Sequence, residues 1–252
     1  MDRIVICMKW GTLYGPDYVN VLWSAARENI SGPFRFICMT DDATGLAPGI
    51  EAMPIPDLGL PPDLWRSGGW PKLAMFLPQI ADLSGRALFI DLDMVLWGEL
   101  DPLFTLPGPL VMLDSGPWRY RNGIPRPMSS IMAFDIGGLP HLATRIIADP
   151  RGMAARYQNE QDFIGGEAGE IAFWPQSWIR SYKYHLRPPL LIDRFRGPHP
   201  PGPEVKVLCF HGNPRPIDMI RPPKGNWDVP PHYGRGQVSW MVDYWTRHGG
   251  HL

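Results

Sequence analysis

The sequence predicts an α/β protein built on a parallel sheet, and three observations carry that expectation. Apolar, strand-forming runs recur and end on polar or glycine-rich turns, as strands buried on both faces do. The first two flank a segment of helical periodicity, so the chain opens strand, helix, strand, the start of a right-handed βαβ unit. A length of 252 residues, 44% hydrophobic and 19% charged, suffices for one sizeable core and is marginal for two domains.

In order, Ile4–Met8 reads as the first strand and is followed by the aromatic, glycine-rich turn Lys9–Gly15. Val21, Leu22, Ala25 and Ala26 recur at helical spacing within 17–30. Phe34–Met39 is the second strand, ending at Thr40-Asp41-Asp42. After a loop rich in Pro and Gly over 54–69, Lys72–Leu83 is expected to be helical, with Leu73, Phe76, Leu77 and Ile80 on one face. Ala87–Ile90 is a strand that delivers Asp91 and Asp93. Leu110–Leu113 and Ser130–Phe134 are further strands separated by a polar loop over 114–127. Leu139–Ala148 reads as a helix and Gln158–Ile164 as a short one. Beyond Pro188, closely spaced prolines forbid regular helix. One strand, Val205–Phe210, interrupts that stretch and runs into His211-Gly212-Asn213-Pro214-Arg215-Pro216. No internal repeat or dividing linker is visible.

Charge is balanced, with 24 Lys plus Arg against 25 Asp plus Glu and a net charge of -1. No basic excess points to nucleic acid, and the balance is silent about an anionic membrane. The 30 Pro and 27 Gly imply stiffened loops around a compact core, while 12% aromatic content argues against disorder. Any of the 11 Trp can serve as a flat sugar platform, although core packing is the commoner fate. Cys7, Cys38 and Cys209 lie in apolar runs without a C-x-x-C spacing, so buried free thiols in a reducing compartment are expected. The start Met1-Asp2-Arg3-Ile4-Val5 lacks signal-peptide character, and no stretch approaches the ~20 apolar residues of a membrane span. A cytoplasmic location is expected, with a peripheral role at the inner membrane face left open.

The segment Phe89-Ile90-Asp91-Leu92-Asp93 places two carboxylates one residue apart at the end of a buried strand, where open α/β sheets bind ligands. Such a pair can share a hard divalent cation; equally, it can be a strand-end turn. His211 also follows an apolar strand and could complete a metal site, or be a hydrogen-bonded strand-end residue. Gly212 permits close backbone approach to a phosphate, and Arg215 offers a bidentate fork.

Pro71-Lys72-Leu73 through Phe76, Ala87–Asp93 and Leu100-Asp101-Pro102-Leu103-Phe104 resemble the core signature of nucleotide-sugar glycosyltransferases, and more closely that of glycosyltransferase family 8 and its bacterial relatives. The family's later His-x-Gly-x-x-Lys-Pro motif is similar to 211–216, where His211 and Gly212 are adjacent and Arg215 replaces the Lys. Its Asp-Gln pair resembles Glu160-Gln161, with Asp162 beside it. The resemblance runs in order from Lys72 to Pro216. It implies a GT-A fold, a single Rossmann-like domain over 1–252 with a mixed, mainly parallel sheet flanked by helices. Residues 1–114 would be the nucleotide-binding half, carrying the Asp-x-Asp motif, and 115–252 the acceptor-side half carrying His211.

The resemblance also implies a Mn²⁺ or Mg²⁺ ion held by Asp91, Asp93 and His211, and a nucleotide-sugar donor such as a UDP-sugar. Gly11, Thr12 and Tyr14 would receive base and ribose, with Tyr14 either stacking on the base or simply packed. Lys72, Gly212 and Arg215 would face the diphosphate. Transfer with retention needs no nucleophile if the leaving phosphate takes the acceptor's proton; a covalent route would draw on Glu160, Gln161 or Asp162. The alternative for that trio is a polar helix start. A glycan or lipid-linked acceptor is inferred from bacterial relatives. Met128-Ser129-Ser130 stands where the family has Asn-(Ala/Ser)-Gly, so the donor sugar does not carry over. Two rivals remain: a haloacid-dehalogenase-type phosphatase with Asp91 as nucleophile, disfavoured by the motif's late position, and a non-catalytic nucleotide-sugar-binding protein.

Overall fold

The computed structural model describes residues 3–120 and 122–252; Met1, Asp2 and, in the polar loop, Arg121 lie outside the described residues. In chain order the elements are β1 (Arg3–Lys9), α1 (Pro16–Asn29), β2 (Arg35–Thr40), β3 (Glu51–Met53), α2 (Pro62–Arg66), a 3-10 helix (Trp70–Phe76), β4 (Arg86–Ile90), β5 (Met94–Leu96), α3 (Asp101–Thr105) and β6 (Leu110–Asp114). Then come α4 (Gly116–Arg119), β7 (Pro127–Asp135), α5 (Pro140–Ala148), α6 (Pro150–Arg156), α7 (Glu160–Glu167), β8 (Ala172–Phe173) and β9 (Ile179–Ser181). A π-helix (Tyr182–Leu186), a second 3-10 helix (Ile192–Arg194), β10 (Val207–Cys209), α8 (Pro216–Ile220) and α9 (Ser239–Arg247) complete the chain.

The strands make a seven-stranded sheet, β3-β2-β1-β4-β7-β6-β8, and a three-stranded one, β5-β10-β9. β1 is parallel to β2 and β4, with Cys7 opposite Cys38 and Ile6 opposite Phe89. β7 runs antiparallel between β4 and β6. The large sheet is therefore mixed and mainly parallel, as expected. Its uninterrupted apolar strands follow from burial on both faces. Val5 and Cys7 pack with Val19, Leu22, Ala25 and Ala26 of α1, while Ile4, Ile6 and Met8 point the other way, toward Leu73, Phe76, Leu142 and Phe163. β7 comes from 115–252 yet sits between two strands of 1–114, so the two stretches share one sheet. The small sheet ties β5, which directly follows Asp93, to β10, which leads to His211.

The helix expected over 72–83 is instead a 3-10 helix that stops at Phe76. Pro78 is the cause: a residue before proline is driven out of the helical region, and Leu77 has φ -58° and ψ 147°. Ile80 is buried all the same, so the apolar spacing reported burial and not helix. The carboxy-terminal region, expected to be irregular, ends in α9, whose Met241, Tyr244 and Trp245 are buried. Cys7, Cys38 and Cys209 are buried and free. Among the described residues, no helix is long and apolar enough to cross a membrane.

Candidate active site

The carboxyl ends of β1 and β4 open into a cavity of about 720 Å³. β4 carries its apolar residues through the core and releases Asp91 at its end, where a parallel sheet exposes its loops to ligand. The Asp91 amide donates to the Ser130 carbonyl at 2.9 Å, and the Met94 amide donates to the Asp91 carbonyl at 3.3 Å, closing a tight turn that presents Asp91 and Asp93. The turn after β1 contributes Gly11, Thr12 and Tyr14 to the same wall. Lys72, Glu160 and Gln161 also line it.

These groups are one another's partners. Lys72 Nζ lies 2.8 Å from Asp91 Oδ1 and 3.2 Å from Glu160 Oε1. Burial works to lower the Lys72 pKa, but the charges of Asp91 and Glu160 outweigh it and hold the ammonium above its ordinary value. Burial also raises the Asp91 carboxyl, against the opposing pull of Lys72. Asp93 is pushed up to about 7, by burial first and by the charge of Asp91 second. Tyr14 Oη donates to Asp93 Oδ2 at 3.2 Å, and burial together with Asp93 raises the phenol's pKa. Three carboxylates, Asp91, Asp93 and Glu160, thus share a cavity whose cationic lining residues are Lys72 and Arg66. With all three ionised the balance is negative.

Glu160 is built into place. It opens α7, whose Asn159 cap accepts from the Asp162 amide at 2.9 Å. The Glu160 amide donates to the Gly68 carbonyl at 2.9 Å, and Ser129 Oγ donates to Glu160 Oε1 at 2.9 Å. Gly69 has φ 69°, which favours glycine, and a Cβ there would stand 2.6 Å from Glu160 Cδ, so a larger residue would press on the carboxylate. Gln161 Oε1 accepts from the Ser129 amide at 3.3 Å. Asp162 is exposed and absent from the cavity lining; it sits in the first turn of α7, where a carboxylate favours the helix dipole. Ser129 and Ser130 reach the cavity because the β6–β7 ladder is irregular there: Met112 pairs with Met132 but Leu113 with Met128.

The carboxy-terminal motif does not join this group. His211 Nε2 is 2.8 Å from Ser181 Oγ, and its ring lies nearly parallel to Trp118 and Tyr184, with centroids 6.1 and 5.8 Å away. Neither His211, Gly212 nor Arg215 lines the cavity. Among the described residues, no group of three or more His, Cys, Asp or Glu side chains is gathered as a metal site. The expected convergence of His211 on Asp91 and Asp93 is therefore not assembled as a three-ligand site: β10 ends beside the acidic turn, with Cys209 opposite Met94, but the His211 ring is engaged by Ser181 and lies against Trp118 and Tyr184. Arg215 caps α8, its amide donating to Asp218 Oδ2 at 2.8 Å. Its guanidinium acts electrostatically on Tyr18, whose ring meets Tyr14 edge-on at 4.8 Å.

Sequence reasoning missed Trp65, Arg66, Gly68 and Gly69, which line the cavity from within the loop read only as Pro/Gly-rich. The Gly68-Gly69 pair was the available signal, since adjacent glycines mark a close backbone approach.

No protein-family model matches this sequence, and no curated protein matches it. Solved structures do. The chain is similar to a galactosyltransferase, LgtC, solved in complex with donor and acceptor sugar analogs, with 14% identity and a TM-score of 0.62 over 97% of this chain and 94% of that one. It is similar to the glycosyltransferase GlyE of Streptococcus pneumoniae, with 12% identity and a TM-score of 0.62 over 98% of this chain and 63% of that one. Mouse xyloside xylosyltransferase 1 matches with 15% identity and a TM-score of 0.53 over 85% of this chain and 98% of that one. Strand order, register and these likenesses agree: the chain has the GT-A glycosyltransferase fold.

Proposed function

We propose that the cavity transfers a sugar, with retention of configuration, from a nucleotide-sugar donor, a UDP-sugar, to a hydroxyl group of a glycan or lipid-linked acceptor. The observation that carries this reading is the meeting of the Gly11–Tyr14 turn, Lys72, the Asp91–Asp93 pair and Glu160–Gln161 in one cavity of a GT-A fold. The setting that goes with this reading is cytoplasmic.

The Asp91–Asp93 pair fits a hard divalent ion, Mn²⁺ or Mg²⁺, because it offers oxygen donors of which Asp93 is costly to ionise beside the charge of Asp91 without a cation. Such an ion would neutralise the donor's diphosphate as the bond to the sugar breaks. The chain's own residues do the positioning. The turn after β1 receives base and ribose, and the Tyr14 hydroxyl fixes the orientation of Asp93. Lys72 holds Asp91 and Glu160 apart and in place. Gln161, steadied by the Ser129 amide, offers its side-chain NH₂ to the donor sugar. Arg215, behind Tyr18, adds positive charge at longer range.

In the reaction, the bond from the anomeric carbon to the phosphate oxygen breaks and a bond to the acceptor oxygen forms on the same face. The acceptor's proton passes to the departing phosphate oxygen, so no side-chain nucleophile is needed. Glu160, already bound by Lys72 and Ser129, is a positioning group in this scheme.

Thermal-shift measurement with UDP, with and without Mn²⁺, tests the reading. It predicts a rise in melting temperature that requires both, and turnover of at least one UDP-sugar. A shift without turnover of any donor would favour the non-catalytic binding protein; no shift at all would overturn the proposal.

A further inference from the structure

We propose that the turn at Leu190–Arg196, with the adjoining turn at Val229–Arg235, is a docking surface for an anionic lipid bilayer. The inference goes beyond sugar transfer and does not require it.

Leu190, Leu191, Ile192 and Phe195 are 49%, 61%, 47% and 87% exposed, within six consecutive residues. Single exposed apolar residues are ordinary on a protein surface, but a cluster of this kind marks a contact site. The cluster does not come from a loose loop. The amides of Ile192 and Asp193 donate to the Pro189 carbonyl at 3.0 and 3.1 Å, and those of Phe195 and Arg196 donate to the Ile192 carbonyl at 2.9 and 3.0 Å. Asp193 is buried beneath, its carboxylate 2.9 Å from His232 Nδ1 and accepting from the Tyr233 amide at 3.0 Å. Leu191 holds φ 76°, a conformation costly for a side chain of its size, and yet that side chain is exposed, so core packing does not account for it. The clasping turn adds Val229, itself 41% exposed.

Charge selects the occupant. The acids of 187–196 and 226–235 are Asp193 and Asp228, and both are buried and engaged, Asp228 by Arg187 at 2.7 Å and by Tyr182 at 3.1 Å. Arg194, Arg196 and Arg235 are exposed, so the charge these turns show to solvent is positive. Arg194 and Arg235 both lie over the Tyr233 ring, 5.5 and 4.8 Å from its centroid. Apolar tips among arginines suit a bilayer surface, where the tips enter the acyl boundary and the guanidiniums stay with anionic headgroups. A second copy in a two-fold pairing would bring like arginines together. Nucleic acid would leave the aliphatic tips without a partner.

Flotation of the full chain with phosphatidylcholine vesicles, with and without phosphatidylglycerol, tests this. Wild type is expected to float with the anionic vesicles and to be released by salt. Leu191→Ser with Phe195→Ser should weaken partitioning on the order of tenfold, and Arg194→Gln with Arg196→Gln should erase the preference for phosphatidylglycerol. Ile147→Ser, at an exposed apolar residue elsewhere, should change nothing. Because the substituted residues are exposed, melting temperatures should stay at the wild-type value and confirm folding. Failure to bind anionic vesicles, binding unchanged in the Leu191/Phe195 variant, or equal binding to neutral vesicles would overturn the proposal. So would a concentration-dependent dimer in sedimentation velocity that this variant abolishes while vesicle binding persists. Neither nucleotide nor metal is present in the assay, so its outcome is separate from that of the sugar-transfer reading.

Discussion

The mouth of the parallel sheet and the motif at 211–216 follow apolar strands of similar character, yet they hold their polar groups differently. At the sheet mouth the partners are internal to the cavity: Lys72 spans Asp91 and Glu160, Tyr14 donates to Asp93, and Gln161 meets Ser129. In the later motif the partners lie elsewhere, Ser181 against the His211 ring and Asp218 on the Arg215 amide. Side-chain partners, more than strand placement, make the contrast. β1 and β4 are adjacent and parallel, so their ends share an edge; β10 also ends beside Asp93, with Cys209 opposite Met94, but the His211 ring is engaged by Ser181. Motif order along a chain does not by itself bring side chains together.

If the sheet mouth carries the chemistry, Asp93→Asn should have the largest effect, lowering transfer by on the order of 10² or more in a coupled UDP-release assay and removing the Mn²⁺-linked thermal shift. Activity near wild type would show that the chemistry lies elsewhere. Lys72→Met should come next: it leaves Asp91 and Glu160 facing each other in a buried site and is expected to cost about 3 kcal/mol in urea unfolding. A loss below about 1 kcal/mol, the range of an exposed ion pair, would contradict the mutual dependence of these three side chains. His211→Ala and Arg215→Ala should each weaken UDP affinity by no more than about tenfold, or ~1.4 kcal/mol. Losses equal to that of Asp93→Asn would show that the motif swings into the cavity when ligand binds.

The smallest effect concerns how the carboxy-terminal helix docks on the first half. His248, at the end of α9, is buried, with Nδ1 3.2 Å from Ser24 Oγ of α1. Burial lowers its pKa below the ordinary 6.5, with Glu28 opposing and Arg247 adding to the fall. Between the lowered value and 6.5 the unfolded chain takes up a proton that the folded chain refuses. Stability should therefore rise with pH through that window and be flat above it as far as this residue is concerned. Chemical denaturation across that range should show a smaller slope in His248→Gln; an equal slope would refute the assignment.

Much of this was legible in the chain. The apolar runs of β1, β2 and β4 have both faces covered, so their continuous pattern left little ambiguity, and Asp91 and Asp93 stand at the strand end where they were expected. The helix expected over 72–83 failed because apolar spacing cannot separate a helix from a buried 3-10 turn stopped by proline. Ser129 and Ser130 enter the cavity through an irregular strand pairing, which has no one-dimensional signature. Trp65 and Arg66 line it from a short helix inside a proline-rich loop. In α9, Met241, Tyr244 and Trp245 recur at helical spacing, but the prolines before it obscured the signal. The orientation of the His211 ring depends on Ser181, Trp118 and Tyr184, partners distant in sequence that local pattern does not encode.

The most direct measurement is a crystal structure of the chain with UDP and Mn²⁺. The nucleotide is expected in the cavity beside Gly11–Tyr14, with the metal between its diphosphate and the carboxylates of Asp91 and Asp93. A nucleotide bound elsewhere, or a metal that touches neither acid, would contradict this placement.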